Sequence, residues 1–211
     1  MTAEIGLDQD ALNALASATS AEQLYSSLAL PVDPPSIRVL DLDAPTKRPD
    51  GTWVDSPLTG RLRVVRLQDS PIFTALSYTW DENVASHNIL CEPHGCHLKI
   101  TANCHAALQQ VRRGFGSVTI WVDSICIHQE NAIEKRTQIT LMNEVYSWAK
   151  AVYIWLGPGD EKSDSAMEYL QLRGSIMTRL PFAWLAATNE GDRGWEWSLF
   201  QTRVLEDPMR T

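Results

Sequence analysis

Apolar positions along the chain change period several times, and each change marks an element. Leu7, Leu12 and Leu15, then Leu24 and Leu28, recur at near-helical spacing and predict one or two short helices between residues 7 and 29. "PVDPPS" ends them, because each proline lacks an N–H and restricts the residue before it. Two short β-rich runs follow, "IRVLDLD" (37–43) and "RLRVVRL" (61–67). The Pro- and Gly-rich segment between them reads as the least ordered part of the chain.

From residue 72 the pattern becomes alternating strand and helix. "IFTALSYTW" (72–80) is a strand, and "NILCEPHGCHLKIT" (88–101) is a hairpin folding at Pro93-His94-Gly95. Asn103 is placed to cap a helix carrying Ala107, Leu108 and Val111 on one face. "VTIWVDSICI" (118–127) is apolar on both alternations, as in a strand covered on both sides. A helix over about 132–149 then presents Ile139, Met142, Val145, Tyr146 and Ala149 at core spacing. The strand "AVYIWLG" (151–157) and a helix capped by Ser163 or Ser165, with Ala166, Tyr169 and Leu170 on one side, complete the series. Three strand–helix repeats predict a parallel, right-handed α/β sheet flanked by helices, with an inserted hairpin and short N-terminal helices.

Composition narrows the function classes. With 211 residues and 44% apolar content, the chain can bury a core of its own. Its net charge of −8 and the absence of a Lys/Arg cluster argue against nucleic acid as a partner. No apolar run reaches the length of a membrane span and the N-terminus lacks a signal-peptide pattern, so a cytoplasmic protein with no membrane partner is expected. Four cysteines fit a reducing compartment. Cys91, His94, Cys96 and His97 are zinc-ligand types, but they straddle one tight turn on alternating faces, so no metal is expected there.

In an open parallel sheet, ligands gather beyond the carboxyl ends of the strands. Three such ends are polar here: Tyr78-Thr79-Trp80-Asp81, the stretch from Asp123 to Glu134, and Gly157-Pro158-Gly159-Asp160. Asp123, His128, Gln129, Glu130 and Glu134 all follow the second of these strands. Neither a phosphate-binding glycine loop nor a nucleophile elbow is present.

The segments "FTALSYTWD", "ITANCHAALQQVR" and "IWVDSICIHQENAIEKRTQITLMNEVYSWAKAVYIWLG" resemble, in order and spacing, the blocks of the fungal heterokaryon-incompatibility (HET) domain over roughly residues 36–172. His128 replaces the Asn usual in that family's I-N-Q block, and the later W-x-R-x-W-x-x-Q-E block is not recognisable in "WEWSLFQTRVLEDPMRT". The resemblance implies a HET core over 36–173, an N-terminal helical extension over 1–35 and a C-terminal helical extension, native or truncated, over 174–211. It implies a Toll/interleukin-1 receptor (TIR)-like, flavodoxin-like three-layer fold. It also implies a role in fungal self/non-self recognition and programmed cell death, with self-association into a homo-oligomer and a regulatory protein partner. Because some TIR domains hydrolyse NAD+, it further implies cleavage of NAD+ or a related nucleotide at the nicotinamide–ribose bond, with NAD+ as substrate and no cofactor required. The rival expectation is a noncatalytic assembly module.

Such a reaction needs a carboxylate near an oxocarbenium-like ribose and an aromatic ring for the departing base. Glu134 is the first carboxylate candidate, sharing a helical face with Gln138. Equally, Asn131 and Glu134 fit a capping box in which Glu134 reaches back to the Asn131 amide. Asp123 is the second, either catalytic or supporting the turn that follows it. Trp80 is the better stacking candidate, while Tyr78 reads first as a core aromatic with its hydroxyl satisfied at the rim. His128 and Gln129 complete the substrate-binding set with Gln138, and Glu168 is read as a capping residue.

Overall fold

The computed structural model describes residues 20–51, 54, 56–80 and 85–158, and the backbone of a strand at 183–187. The "PVDPPS" stop does end a helix: α1 (20–27) leads into β1 (Ser36–Leu42), a strand buried along nearly its whole length. β2 (Leu58–Arg66) pairs with it antiparallel. β3 (Thr74–Tyr78) follows, then the hairpin of β4 (Ala85–Cys91) and β5 (Cys96–Thr101), whose turn contains Gly95 at φ +60°. Only glycine adopts that left-handed conformation without cost, which is why the hairpin turns where the sequence indicated.

After the hairpin come α2 (Ala102–Phe115), β6 (Val118–Trp121), the single turn α3 (Asp123–Cys126), α4 (Ala132–Trp148), β7 (Val152–Pro158) and β8 (Ala183–Ala187). The strands form one sheet in the order β5-β4-β2-β1-β6-β3-β7-β8. β3 pairs parallel with β6 on one side and with β7 on the other, so the three strands expected to run together do. The sheet as a whole is mixed, correcting the expectation of a purely parallel one: β1 is antiparallel to both β2 and β6. Nothing in the local pattern of "IRVLDLD" sets strand direction; β1 enters beside β6 because both its faces are apolar enough for a central position.

Helices cover both faces. Tyr78 and Trp155 sit opposite each other in the β3–β7 register and share a face, and α2 packs there through Phe115 stacked on Tyr153, with ring centroids 4.8 Å apart. Trp121 turns to the other face, where Tyr146 of α4 meets it edge-on. Among the described residues no helix is long and apolar enough to cross a membrane.

Several local expectations change. Strand β6 stops at Trp121 instead of running to 127, because the chain turns into α3 with Val122 as its cap. Thr101, rather than Asn103, caps α2 by accepting from the Cys104 amide at 3.2 Å. Ile139 faces out of α4, whereas Val145 and Ala149 are buried and Met142 and Tyr146 pack partly against the core. The expected helix near 163–172 and its Glu168, and the expected helix before residue 20, lie outside the described residues.

Gly60 shows how tightly β1 and β2 approach. A Cβ there would lie 2.7 Å from the Asp41 carbonyl oxygen and 3.0 Å from a Leu40 methyl. Gly60→Ala is therefore expected to cost about 1–3 kcal/mol in urea denaturation, since the clashing atom is backbone and cannot swing away. A loss below a few tenths would mean that the strands separate freely.

Candidate functional site

The sequence-predicted residues fall into two clusters, one on each side of α3. The first occupies the ends of the parallel strands. As β6 finishes, Asp123 emerges with Oδ1 accepting from the Ser124 amide at 2.7 Å and Oδ2 accepting from the Trp80 indole at 3.0 Å. Tyr78, at the end of β3, donates its hydroxyl to Ser124 at 2.7 Å, and Cys104 lies 3.7 Å from the same oxygen. Gln129 donates to the Asp123 carbonyl at 2.8 Å. Parallel strand direction is what makes this possible: it brings two exits, and hence an aromatic and a carboxylate 43 positions apart, to one edge.

Burial raises the Asp123 pKa, and the bonds from Ser124 and Trp80 do not cancel that effect. A carboxylate short of solvation at a strand edge is a group poised for proton transfer or for meeting a developing positive charge. Trp80 is 46% exposed, so its ring remains open to a ligand while its N–H holds Asp123. Tyr78 is half-buried and its hydroxyl is satisfied, matching the structural role weighed for it. Burial also pushes the Cys104 thiol up to about 11, so it is no ready nucleophile.

Asn103 belongs to this cluster although its sequence signal suggested a helix cap. Its amide donates to the Thr79 carbonyl at 2.7 Å, and its oxygen accepts from the Trp155 indole at 2.6 Å. One side chain thus ties the start of α2 to the ends of both β3 and β7. Asn103→Leu keeps the volume but leaves that indole unpaired. It is expected to lower stability by about 1–3 kcal/mol and to loosen the Trp80 segment, read by a red shift or quenching of tryptophan fluorescence.

The second cluster surrounds Glu134. Its carboxylate is clamped by Arg38, Oε1 to Nη1 at 2.5 Å and Oε2 to Nη2 at 3.0 Å, and Oε1 also accepts from the His128 amide at 2.7 Å. Burial alone would raise the Glu134 pKa, but the Arg38 bonds and the His128 amide outweigh it and hold the carboxyl below its usual range. Asn131 caps α4 as expected, accepting from the amides of Ile133 and Glu134. Glu134 completes no capping box: its carboxylate goes to Arg38 and His128 instead.

Arg38 was missed in the sequence, where it reads as one polar residue on a β-strand. It is completely buried and every N–H is used: Nε donates to the Leu28 carbonyl, Nη1 to Cys126 and Glu134, and Nη2 to Tyr25 and Glu134. Leu40 pairs with Ile120, so Arg38, two residues earlier on the antiparallel strand, lies level with the start of α3. Its guanidinium also lies over the Tyr25 ring, whose other neighbour is the His128 imidazole, stacked at 4.5 Å. Tyr25 donates its hydroxyl to the Ile125 carbonyl at 2.9 Å. Gln138 is buried in the same region and donates to the Ser36 carbonyl at 3.0 Å. Tyr25, His128, Glu134 and Gln138 border a half-open cleft of about 420 Å³ between α1 with its Pro-rich exit and α4.

The arrangement defines an α/β domain with helices on both faces, a central parallel trio of strands and a polar edge that joins Tyr78, Trp80, Asn103 and Asp123. A family profile described as Heterokaryon incompatibility protein (HET) matches residues 73–204, more than half of the chain, and the protein belongs to that family. The match continues past residue 172, where the motif resemblance stops. The chain is also 30% identical over 157 residues to a Neurospora crassa protein described as Heterokaryon incompatibility protein 6, OR allele. That alignment takes in 69% of this chain and 22% of the relative, so the chain spans about a fifth of the relative's length. No solved structure matches it.

Proposed function

We propose that this domain acts in fungal heterokaryon incompatibility and that its strand-exit cluster cleaves a nucleotide of the NAD+ type at the nicotinamide–ribose bond. The observation that carries the reading is the pairing of a desolvated Asp123 with the partly open Trp80 ring, contributed by adjacent parallel strands. In the reaction the C–N bond to nicotinamide breaks and its electron pair stays on the ring nitrogen, which leaves neutral. Water oxygen then bonds to ribose C1′ and releases a proton. Asp123 faces the positive charge that develops on the ribose and orients the water, and Trp80 stacks against the departing base.

This reading moves the principal carboxylate from Glu134 to Asp123. Glu134 is held ionised by a buried cation whose other donors are all engaged, which suits a structural anchor. A TIR-like relationship is part of the proposal and is supported by the β6-β3-β7 parallel trio with β3 in the middle. A homo-oligomeric state and a cytoplasmic setting belong to the same proposal. The noncatalytic alternative has its own support, because α4 leaves the apolar side chains of Ile133 and Ile139 exposed.

The test is nicotinamide release from NAD+ by the purified chain at a concentration where its oligomeric state is measured in parallel. Release that disappears in Asp123→Asn and persists in a folded Glu134→Gln supports the proposal. Intact oligomers with no release sink the catalytic half and leave the assembly reading.

A further inference from the structure

We propose that the cleft between α1 and α4 is a second ligand site, separate from the strand-exit cluster, and that it takes a small organic cation with a short aliphatic arm. Its size, about 420 Å³, falls in the range of small-molecule sites. Two carboxylates, Glu22 and Glu134, line it together with the His128 imidazole; Arg38 neutralises Glu134 from below, and among the described residues no lysine or arginine lines the cleft. Glu22 is 63% exposed and touches His128 Nε2 at 3.1 Å through one oxygen, so a carboxylate stands at the mouth.

A second observation points inward. Gln138 lines the cleft, is 3% exposed and donates Nε2 to Ser36, yet its buried Oε1 has no hydrogen-bond partner among the described residues. A buried amide oxygen left without a donor is uncommon, and a small shift of the Gln138 side chain toward the cleft it lines would let a ligand N–H satisfy it. The apolar part of the ligand is also provided for. Leu30 and Pro31 form one wall, while Val32 and Ile133, 79% and 83% exposed, stand at the rim. An N–H-bearing cation directed at Gln138 and Glu22, with an aliphatic arm over Val32 and Ile133, meets all of these features. A phosphate or carboxylate group has no N–H to offer Gln138 and is repelled by Glu22, so an anionic head is disfavoured here.

Position gives occupancy a consequence. Tyr25 lines the cleft and its hydroxyl holds the Ile125 carbonyl in α3, the turn that begins with Asp123. A ligand wedged beside Tyr25 therefore acts on the same short segment that carries the strand-exit carboxylate.

The binding claim is independent of any nucleotide chemistry and is tested on the full chain by calorimetric or NMR titration. Three probes with the same butyl arm are compared: butylguanidinium, the neutral isostere butylurea and the anionic pentanoate. Saturable binding of butylguanidinium with Kd below about 1 mM is expected, with butylurea at least roughly tenfold weaker and pentanoate silent. Glu22→Gln and Val32→Lys, both surface changes, should leave the melting temperature unaltered and weaken the cation by about tenfold or more. Equal binding of cation and urea, binding of pentanoate, undiminished affinity in both variants, or no saturation with the cation would each overturn the proposal.

Discussion

Arg38→Met will destabilise the domain by about 3–5 kcal/mol, the scale expected when one partner of a buried ion pair is removed. Arg38 is completely buried and bonds Glu134 with both terminal nitrogens while holding the carbonyls of Tyr25, Leu28 and Cys126. Methionine fills much of the volume, but it strands a carboxylate and the carbonyls of Leu28, in the exit of α1, and Cys126, in α3. The double variant Arg38→Met/Glu134→Leu should recover only part of the loss, because those carbonyls stay unpaired even when the charge is gone. Full recovery would show that the charge alone mattered.

The pH dependence follows from the direction of the Glu134 shift. Its folded-state pKa lies below the ordinary value of 4.5, so its stabilisation is complete above that value and is lost as pH falls through the folded pKa. The difference between wild type and Arg38→Met, measured by urea denaturation, should therefore be largest near neutrality and shrink below about pH 4. A difference that stays constant into strong acid would remove the ion pair as its source.

Asp123→Asn is expected to separate stability from chemistry. Its folded-state pKa is raised, so the folded protein favours the protonated acid and stability from this group declines as pH climbs from the ordinary 3.8 through the folded value. At neutral pH the ionised carboxylate is a burden, which the neutral amide removes. Asparagine offers only one acceptor oxygen for the Ser124 amide and the Trp80 indole, so about 1 kcal/mol is given back. The melting temperature should move by no more than a few degrees, while nicotinamide release falls by about 10²-fold or more. A variant that keeps its activity would show that the carboxylate has no part in the reaction, and one that unfolds would show that the charge is structural.

The contrast between Asp123 and Glu134 shows where sequence reading ends. Both are acids following one apolar strand, and Glu134 ranks first in the sequence because it matches the Glu of the HET pattern, follows the strand edge closely and shares a helical face with Gln138. What separates them is Arg38, 96 positions away from Glu134. A single arginine in "IRVLDLD" looks like the polar side of a strand, and only the antiparallel placement of β1 beside β6 buries it against α3. Asn103 is similar: its position near a helix start suggested a cap, yet Thr101 takes that role and leaves Asn103 free to join β3 and β7.

Period and punctuation along the chain were enough to determine the hairpin at Gly95, the cap at Asn131, the parallel trio of strands and the convergence of the β3 and β6 exits, while Gly159-Asp160 of the third expected exit lie outside the described residues. These depend on near neighbours and on the alternation of apolar residues, which a linear sequence displays directly. Strand direction in β1, the end of β6 at Trp121 and the partner of each carboxylate were decided by the tertiary structure alone. They depend on which distant groups share a buried volume, where an unpaired charge or N–H is too costly to leave, and no local pattern records that.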